Sequence, residues 1–442
     1  MRPLFFLTAL GLALTACHSK SVTAVEPPAA TVVYQGANVW TGERFERADI
    51  GIIGDRIVRP YLIDTDTEVF DVSGRFITPA LGNGHNHITN PDLMNSWLYF
   101  DIGVYYVWNP NLFSDGLSEE TRAFYARPDT IEAQTSLGGI TEPKSHPEPL
   151  YVDNLGPNVY GGLGFEEMFE KAFHYGRTKT EISASLDRLS AQGADFVKIY
   201  LLNSDAYSPP NADGSPTSTT GLNPKNVPFL VAEAHKRGLP VIAHVETRGD
   251  VRVAANAGVD FLGHLPGYGA VSEQRAERVT LTKEDARAVS EAGMAVMPTY
   301  ALAKARFDAS LSNADGMTEE ERTNLEERVE RTYAVQQQNL IRLREAGVQI
   351  VGGTDLFPGQ LLVEANHWVE LDAMSPIEAA KVLFETGPKL FPERRIGCFS
   401  AGCEADFLVL AADPRISLDA FSSIEKRIKA GQTLVQPGET AN

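Results

Sequence analysis

The chain has 442 residues, of which 43% are apolar and 22% are charged, and this composition is that of a globular protein rather than a disordered or fibrous one. The formal net charge of -19 repels phosphate backbones and therefore argues against nucleic-acid binding. The length allows one large α/β domain beside a smaller one.

The N-terminus has the features of a processing signal. Arg2 precedes a short apolar run that ends in the sequence LTAC at Cys17, and this run is too short to span a bilayer comfortably. The pattern resembles a bacterial lipobox, in which cleavage leaves a lipid-bearing cysteine at the new N-terminus; an ordinary secretory signal is the alternative. We predict a signal peptide over residues 1–17 and a flexible tether over 18–30. The expected location is the bacterial cell envelope, either lipid-anchored at the outer membrane and facing the periplasm, or periplasmic.

Short strands rich in β-branched residues occupy both ends of the remaining chain. Residues 31–78 contain VVYQGANVW, ADIGIIGDRIV and EVFDVSGRFI, and residues 394–437 repeat this texture in ADFLVLAAD and IEKRIKAGQTLV. We predict that the two ends together form one small β-sandwich domain.

Residues 79–393 show short apolar strands that alternate with amphipathic helices, the pattern of a parallel α/β fold. Counting FITPALGNGHNH as the first strand gives eight βα units, so the sequence predicts a (β/α)8 TIM barrel. The third strand is weakly marked and is placed near 131–142, and a long polar loop covers 203–224. The other predicted strands are 104–108, 196–201, 241–245, 261–265, 295–300 and 349–355, and the clearest helices are 226–237, 282–292, 318–346 and 376–386.

His85 and His87 belong to the segment GNGHNH, at the end of the first predicted barrel strand. Alternate side chains of a strand point to the same side, so both imidazoles can reach one ion. Active sites of such barrels lie at the C-terminal ends of the strands, which favours a metal site over a coincidental pair.

Four further ionisable residues lie in, or at the end of, apolar strands. They are Lys198 in FVKIYL, His244 in VIAHV, His264 in FLGHL and Asp355 in QIVGGTD. Each residue alone is compatible with a satisfied core group or a structural ion pair. Together they fall near strand ends that face the same mouth of the predicted barrel, and we therefore interpret them as metal ligands.

Lys198 needs a separate explanation, because an ammonium group beside divalent cations is electrostatically unfavourable. Burial lowers the pKa of a lysine, so a neutral amine is expected here. Such an amine can take up CO2 and form a carbamate, whose two oxygens can bridge two cations. The predicted cofactors are thus two divalent ions, with zinc as the expected metal. His85, His87 and Asp355 would hold one ion, His244 and His264 the other, and carboxylated Lys198 both.

These motifs, in this order, resemble the amidohydrolase superfamily, in the branch similar to imidazolonepropionases and metal-dependent Xaa-Pro dipeptidases. DVSGRFITPALGNGHNH resembles the family's entry into the barrel, ADFVKIY its carboxylated-lysine strand, and VIAHV, FLGHL, VMPTY and GGTD its strands five to eight. The tail IGCFSAGCEADFLVLAADP resembles the closing β segment of the family. The resemblance covers nearly all of the chain after the signal and implies the fold, the metals and the ligand set given above.

Three positions depart from the family's pattern. Asn83 replaces the aspartate that usually precedes the first ligand histidine by two residues, and Ala80 replaces the usual glycine after Pro79. Trp108 and Asn109 stand where many relatives have Arg-Asp after strand two. The substrate of a relative therefore cannot be carried over to this chain.

Weaker candidates for substrate contacts lie near the same strand ends. Tyr200 follows the strand-four lysine by two residues and should point the same way, although core packing is an equal alternative. His146 lies in a loop that loosely matches a GGH-type segment of relatives. Arg248, just beyond strand five, suits a substrate carboxylate, with a solvated loop arginine as the alternative. Tyr300 ends strand seven.

Cys398 and Cys403 flank a predicted turn in GCFSAGCEAD. The expected compartment permits disulfides, and a bridge and two free thiols both fit the sequence.

The favoured function is hydrolysis of an amide or peptide bond in a small molecule or short peptide, such as a dipeptide, an N-acyl amino acid or a lactam. Asp355 is the predicted catalytic proton acceptor. The alternatives are a mononuclear deaminase or esterase of the same superfamily, and a surface lipoprotein that binds a ligand without chemistry. Contact with a membrane is expected through the lipid anchor only, and a homo-oligomer is compatible with the sequence.

Overall fold

The computed structural model describes residues 27–89, 91, 96–209, 221–355 and 359–436. Two predictions fall partly or wholly outside these ranges. The lipidation site Cys17 and its signal peptide are not covered, and the polar loop 203–224 is described only at its two ends.

Eighteen strands are described. They are β1 (Val32–Trp40), β2 (Phe45–Ile53), β3 (Arg56–Val58), β4 (Glu68–Asp71), β5 (Phe76–Pro79), β6 (Leu81–Asn83), β7 (Val104–Asn109), β8 (Glu132–Thr135), β9 (Gly139–Thr141), β10 (Phe173–Tyr175), β11 (Val197–Tyr200), β12 (Val241–His244), β13 (Phe261–Leu262), β14 (Ala295–Val296), β15 (Gln349–Ile350), β16 (Phe407–Leu410), β17 (Ile424–Lys429) and β18 (Gln432–Thr433).

The helices alternate with the parallel strands. They are α1 (Trp97–Phe100), α2 (Glu119–Tyr125), α3 (Gly156–Asn158), α4 (Phe165–Met168), α5 (Lys179–Ala191), α6 (Val227–Lys236), α7 (Arg248–Ala257), α8 (Glu273–Val279), α9 (Lys283–Glu291), α10 (Ala301–Ser312), α11 (Glu319–Glu345), α12 (Gln360–Glu370) and α13 (Pro376–Leu390). A π-helical turn (Leu150–Leu155) and three 3-10 turns (Ser204–Ala206, Ala314–Gly316, Leu418–Ser422) complete the helical elements of the described residues. None of these helices is long and apolar enough to cross a membrane.

One mixed sheet joins the two ends of the chain. Its order is β18-β17-β16-β5-β1-β2-β3, with β4 paired to β1. Strand β5 lies between β1, which runs parallel to it, and β16, which runs antiparallel to it. The strands of both chain ends therefore share one eight-stranded sheet, and the two-sheet sandwich predicted from the sequence is not confirmed. Alternation along a strand marks its two faces but does not reveal which strands pair.

Two parallel sheets carry the rest of the chain, an α/β arrangement. One has the order β10-β9-β11-β12-β13-β14-β15 and the other the order β6-β7-β8. Hydrogen bonds connect the two sheets on both sides: Gly84 N–H, after β6, donates to Gly352 O, after β15, at 2.7 Å, and Asp195 N–H, before β11, donates to Thr135 O of β8 at 2.9 Å. A single large hydrophobic cluster fills the space between these strands and the surrounding helices.

Asp250 organises the loops that follow two of the parallel strands. Its buried carboxylate accepts hydrogen bonds from the backbone N–H groups of Asn203 (3.2 Å) and Ser204 (2.7 Å) after β11, and of Glu246 (3.0 Å) after β12. It also forms a capping box with Thr247 at the N-terminus of α7. One side chain thus fixes two adjacent loops at the same edge of the sheet.

Cys398 and Cys403 form a disulfide, with their Cα atoms 5.9 Å apart. Cys403 belongs to the hydrophobic cluster of the mixed sheet. Of the two states that the sequence left open, the structure therefore shows the bridge.

Candidate metal centre

Six side chains meet at the carboxyl ends of the parallel strands. His85 and His87 follow β6, Lys198 lies within β11 and His244 ends β12, whereas His264 and Asp355 follow β13 and β15 after the strand pairing has stopped. All six line one cavity of about 860 Å³. The structure thus brings together the complete ligand set predicted from the sequence.

Asp355 lies closest to the histidine pair of the first strand. Its Oδ1 atom is 2.9 Å from His87 Nε2 and 3.2 Å from His85 Nε2. One donor atom from each of the three residues lies within 4.8 Å of the others, which is compatible with a shared ion. The φ angle of Asp355 is +56°, a left-handed value that aspartate tolerates better than most residues.

The remaining two histidines extend this cluster. The ring centroid of His264 lies 4.6 Å from that of His85 and 4.7 Å from that of His244. His264 Nε2 is 4.0 Å from the second carboxylate oxygen of Asp355. The imidazoles therefore form a continuous row along the strand ends.

Hydrogen bonds at the Nδ1 atoms of three histidine rings fix the orientation of these rings. Nδ1 of His85 is 2.6 Å from Gly263 O, and Nδ1 of His87 is 3.2 Å from Asn111 O. A carbonyl oxygen can only accept, so both Nδ1 atoms carry a proton, and each ring in its neutral form then presents its lone pair at Nε2. His264 Nδ1 is held by Thr299 Oγ1 at 2.8 Å. The three Nε2 atoms are thereby directed towards Asp355.

Lys198 is buried, and its Nζ atom has no hydrogen-bond partner among the described residues. Burial lowers its pKa to about 7, although Asp355 opposes this shift. A Cβ atom at Gly263, which follows β13, would lie only 2.7 Å from Nζ, so the glycine leaves room for the end of the lysine side chain. A large fraction of Lys198 is therefore an uncharged amine near neutral pH.

The charge states of the other ligands suit a cation. Burial lowers the pKa of His85 to about 4 and holds that of His264 well below its usual value. Burial favours the neutral form of Asp355, but His85 and the other histidines outweigh it and keep the pKa of this carboxyl well below its usual range. Neutral imidazoles around an ionised carboxylate are the donors that divalent transition metals require, so the residues present fit the metals that the resemblance implies.

Asn83 retains the positioning role of the residue it replaces. Its side-chain oxygen accepts a hydrogen bond from the His85 backbone N–H at 3.2 Å, and its amide donates to Thr354 Oγ1 at 3.3 Å. The asparagine thus joins the loops that carry His85 and Asp355. Unlike an aspartate, it adds no negative charge behind the ligands.

Two of the four predicted substrate contacts lie in the cavity. Tyr200 lines it, and its hydroxyl accepts a hydrogen bond from the Asn111 side chain at 2.7 Å. The His146 ring lies 5.1 Å from the ring of Tyr200 and 5.0 Å from that of His244. Burial lowers the pKa of His146 to about 3, so this histidine is neutral.

The other two predicted contacts do not line the cavity, which corrects the prediction. Arg248 is the first residue of α7 and directs its guanidinium to the exposed carboxylate of Glu277, 3.5 Å away. Tyr300 is completely buried in the core. The residue before it, Thr299, has a φ angle of +54°, which breaks the alternation of the strand that the prediction assumed.

Glu246 and Tyr268 also line the cavity, and the sequence interpretation missed both. Oε1 of Glu246 is 3.2 Å from His244 Nε2 and accepts the Tyr268 hydroxyl at 2.7 Å. The Tyr268 ring stacks on His264 with centroids 4.3 Å apart. Glu246 follows His244 by two residues, so the alternation argument used for Tyr200 would have identified it.

Comparison with known proteins identifies the family. The model of the amidohydrolase family matches residues 76–435. The solved structures that resemble the chain include ochratoxinase of A. niger (TM-score 0.67, 18% identity, covering 93% of this chain and 97% of that one) and a Xaa-Pro dipeptidase with bound methionine (TM-score 0.65, 17% identity, 91% and 99%). Molinate hydrolase is similar at TM-score 0.63 and 16% identity, covering 92% of this chain and 95% of that one. The comparison with curated proteins gives no match. The structural likeness concerns the fold, whereas the sequence model covers the cavity residues from His85 to Asp355. The chain therefore belongs to the amidohydrolase family, and the protein is a hydrolase that acts on carbon–nitrogen bonds.

Proposed function

We propose that the protein cleaves an amide or peptide bond of a small substrate, such as a dipeptide, an N-acyl amino acid or a lactam, with the help of two zinc ions. The proposed ligands are the six clustered residues His85, His87, Lys198, His244, His264 and Asp355. The observation that carries the proposal is the buried amine of Lys198, which lies in this cluster and has no hydrogen-bond partner in the part of the chain that the structure describes.

Carboxylation gives this amine a role. Its nitrogen forms a bond to the carbon of CO2 and releases one proton to solvent, which leaves a carbamate whose single negative charge is shared by two oxygens. A buried anion is costly unless cations compensate it, and two cations are costly unless an anion lies between them. A carbamate on Lys198 between two bound cations would satisfy both requirements.

The residues of the cavity divide the work of hydrolysis. Bound divalent ions would polarise the substrate carbonyl and lower the pKa of water. Asp355 accepts a proton from the attacking water at its carboxylate and passes it to the leaving nitrogen. His146 and Tyr200 provide polar contacts for the substrate, and Arg306, which lines the cavity where Arg248 does not, provides a cation for a substrate carboxylate.

A one-metal deaminase is the second candidate. It is favoured by His85, His87 and Asp355. Among the described residues, they are the only group of three or more His, Cys, Asp or Glu side chains whose donor atoms all lie within 4.8 Å of one another. The lysine argues against it, because a single ion does not need a bridging ligand.

Metal analysis and a substrate screen test the proposal together. The purified protein should contain about two zinc ions per chain and should hydrolyse members of a dipeptide and N-acyl amino-acid library. A chelator should abolish this activity, and added zinc should restore it. One ion per chain with release of ammonia from an amino-substituted ring would favour the deaminase, and an active protein that carries no metal would overturn both candidates.

The proposal includes a closed (β/α)8 barrel. The hydrogen bonds at Gly84 and Asp195 that connect the two parallel sheets support this barrel. The β8 and β9 strands, separated by Leu137 with its φ angle of +57°, would together form the third barrel strand.

A further inference from the structure

The cavity has two chemically different parts. The polar part consists of the ligand cluster with its neighbouring histidine and tyrosine. The apolar part comes from Leu112 and Phe113 after β7 and from the segment 150–160, which follows His146. Metal binding accounts for the polar part of the cavity, but it does not require the apolar part.

Segment 150–160 has helical structure and is not an irregular loop. It contains the π-helical turn and α3, and it belongs to a hydrophobic cluster separate from the large core, centred on Tyr151, Met168 and Phe173. The ring of Tyr160 lies 4.8 Å from that of Phe113. The apolar surface of the cavity therefore has its own supporting core.

Tyr151 connects this segment to the polar part. Its hydroxyl donates to Asn111 Oδ1 at 3.0 Å, and the amide of the same asparagine donates to the Tyr200 hydroxyl at 2.7 Å. Asn111 O in turn accepts from His87. A chain of hydrogen bonds thus fixes the apolar surface relative to the ligand cluster.

Two side chains of the segment expose apolar surface to solvent at the cavity. Leu150 is 41% exposed and Val159 is 60% exposed, and both line the cavity. Exposed apolar area next to a concave site is typical of a binding surface, because covering it is favourable by about 25 cal/mol per Å². The cavity volume of about 860 Å³ lies in the upper part of the range of roughly 300–1,000 Å³ for small-molecule sites.

We propose that the preferred substrates are amides that carry a bulky apolar group, either an aromatic ring or an aliphatic chain, which packs against Leu150, Val159 and Tyr160 while the scissile bond faces the ligand cluster. This inference rests on the proposed amide hydrolysis. It adds the substrate class and assigns a specificity-determining surface to segment 150–160.

The test uses two homologous substrate series with the zinc-loaded protein. N-acylglycines from acetyl to octanoyl and phenylacetyl place the apolar group on the acyl side, and N-acetyl amino acids from glycine to leucine and phenylalanine place it on the amine side. In one of the two series, kcat/KM should rise by up to roughly fourfold for each methylene that becomes buried. The double variant Leu150→Gln/Val159→Ser should lose most of this increase, so that its kcat/KM values differ little along the series. Leu311→Gln is the matched control, because Leu311 is 39% exposed but does not line the cavity.

The possible outcomes separate this inference from the proposed function. Equal kcat/KM values along both series, or a double variant that keeps the full increase, would overturn the apolar subsite while amide hydrolysis stands. If no compound is hydrolysed, amide hydrolysis of this kind fails, and calorimetric affinities for the same two series then decide. Binding that tightens with apolar size in the wild type but not in the double variant supports the subsite, and affinities that are independent of size overturn it.

Discussion

Lys198 shows how an environment changes the chemistry of a residue type. In water a lysine is a cation, but here the side chain is buried, its Nζ atom has no hydrogen-bond partner among the described residues, and histidine rings and a carboxylate surround it. In the proposed carboxylation, this amine acts as a nucleophile towards CO2 rather than as a counter-ion. The carbamate assignment yields a prediction that general damage to the site would not.

Lys198→Ala should lower activity by at least about 10²-fold and reduce zinc content, since it removes the proposed ligand of both ions. The missing carbamate is a small anion, so formate, acetate or propionate should partly restore both quantities in the variant. Metal analysis and initial rates, with and without each acid, measure the effect. Normal turnover with two bound ions in the alanine variant would exclude the bridging role.

Asp355→Asn should differ from Lys198→Ala in its zinc content and in its response to short carboxylic acids. The amide keeps one oxygen donor, so part of the zinc should remain bound, but kcat should fall by roughly 10²–10⁴-fold because the proton acceptor is gone. Short carboxylic acids should not restore it. Asp308→Asn, at an exposed position of α10, serves as the control and should leave kcat unchanged. A variant that loses all zinc would show that Asp355 acts mainly as a ligand.

The six clustered residues could be predicted from the sequence because each lies within an apolar strand or just after one. His244 and Lys198 are conspicuous in VIAHV and FVKIYL, where a polar group needs a reason. Arg248 and Tyr300 could not be placed in this way, since both lie beyond the point where the strand alternation ends. At Thr299 a left-handed backbone, which no residue type signals here, turns the following tyrosine into the core.

At the scale of elements, Glu364 on α12 holds the N-terminus of α10. Its buried carboxylate accepts the backbone N–H of Ala301 and, at 2.9 Å, the indole N–H of Trp368. Helix α10 begins two residues after Thr299, which orients His264, and it carries Arg306 to the cavity. One buried acid thus supports an element on which two parts of the site depend.

Glu364→Gln should change how stability depends on pH. Burial raises the pKa of Glu364 from 4.5 to about 7, against the opposing effect of its hydrogen bonds. Between these values the folded state binds more protons than the unfolded state, so the contribution of this group to stability is lost as pH rises through about 7. The glutamine variant lacks this pH-dependent loss of stability, because an amide does not ionise in this range. Urea unfolding near pH 5 and near pH 8 should show a larger deficit of the variant at the lower pH, and an equal deficit at both would contradict the assignment.

The strand predictions were correct in order but too long at the site. The predicted strand 261–265 pairs only at Phe261–Leu262, and 349–355 pairs only at Gln349–Ile350. The chain leaves the ladder there so that His264 and Asp355 can turn towards the cavity. The strand placed near 131–142 is divided in two, and β10 was not predicted, because three residues carry too little periodicity to be recognised.

At the scale of the whole molecule, Arg394 joins the parallel sheet to the C-terminal segment. Its guanidinium contacts Glu132 on β8 and Glu404, and it lies 3.6 Å from Asp406, which also accepts the Tyr106 hydroxyl at 2.5 Å. These acids have little exposure, with 26%, 12% and 2% of their side chains accessible. The network therefore ties together parts of the chain that are distant in sequence.

Arg394→Met should destabilise the protein by about 2–4 kcal/mol, since it leaves several partly buried carboxylates without their counter-ion. Arg44→Met is the control: its ion pair with Glu46 is exposed, and the loss of such a pair should cost about 0–1 kcal/mol. Denaturant unfolding of both variants measures the difference. Equal small effects would mean that the network does not stabilise the junction.

Cys17→Ser tests the proposed lipid anchor. Without the cysteine, the signal cannot be processed as a lipoprotein, so the protein should move from the membrane fraction to the soluble fraction or remain unprocessed. Ser21→Ala, in the predicted tether, should fractionate like the wild type. Membrane association that persists in the serine variant would exclude the anchor.

The position of β5 has a consequence for the synthesis of the protein. This strand continues through Ala80 into β6, which leads to His85, yet one of its two neighbours is β16, where Phe407 lies opposite Pro79. A ribosome adds roughly 5–20 residues per second, so β5 must wait for most of translation before its second partner exists. Pairing over such a distance along the chain is also slow. The segment that leads to His85 is therefore supported by one of the last strands to be made. A chain released early would leave β5 with one open edge and the site without this support.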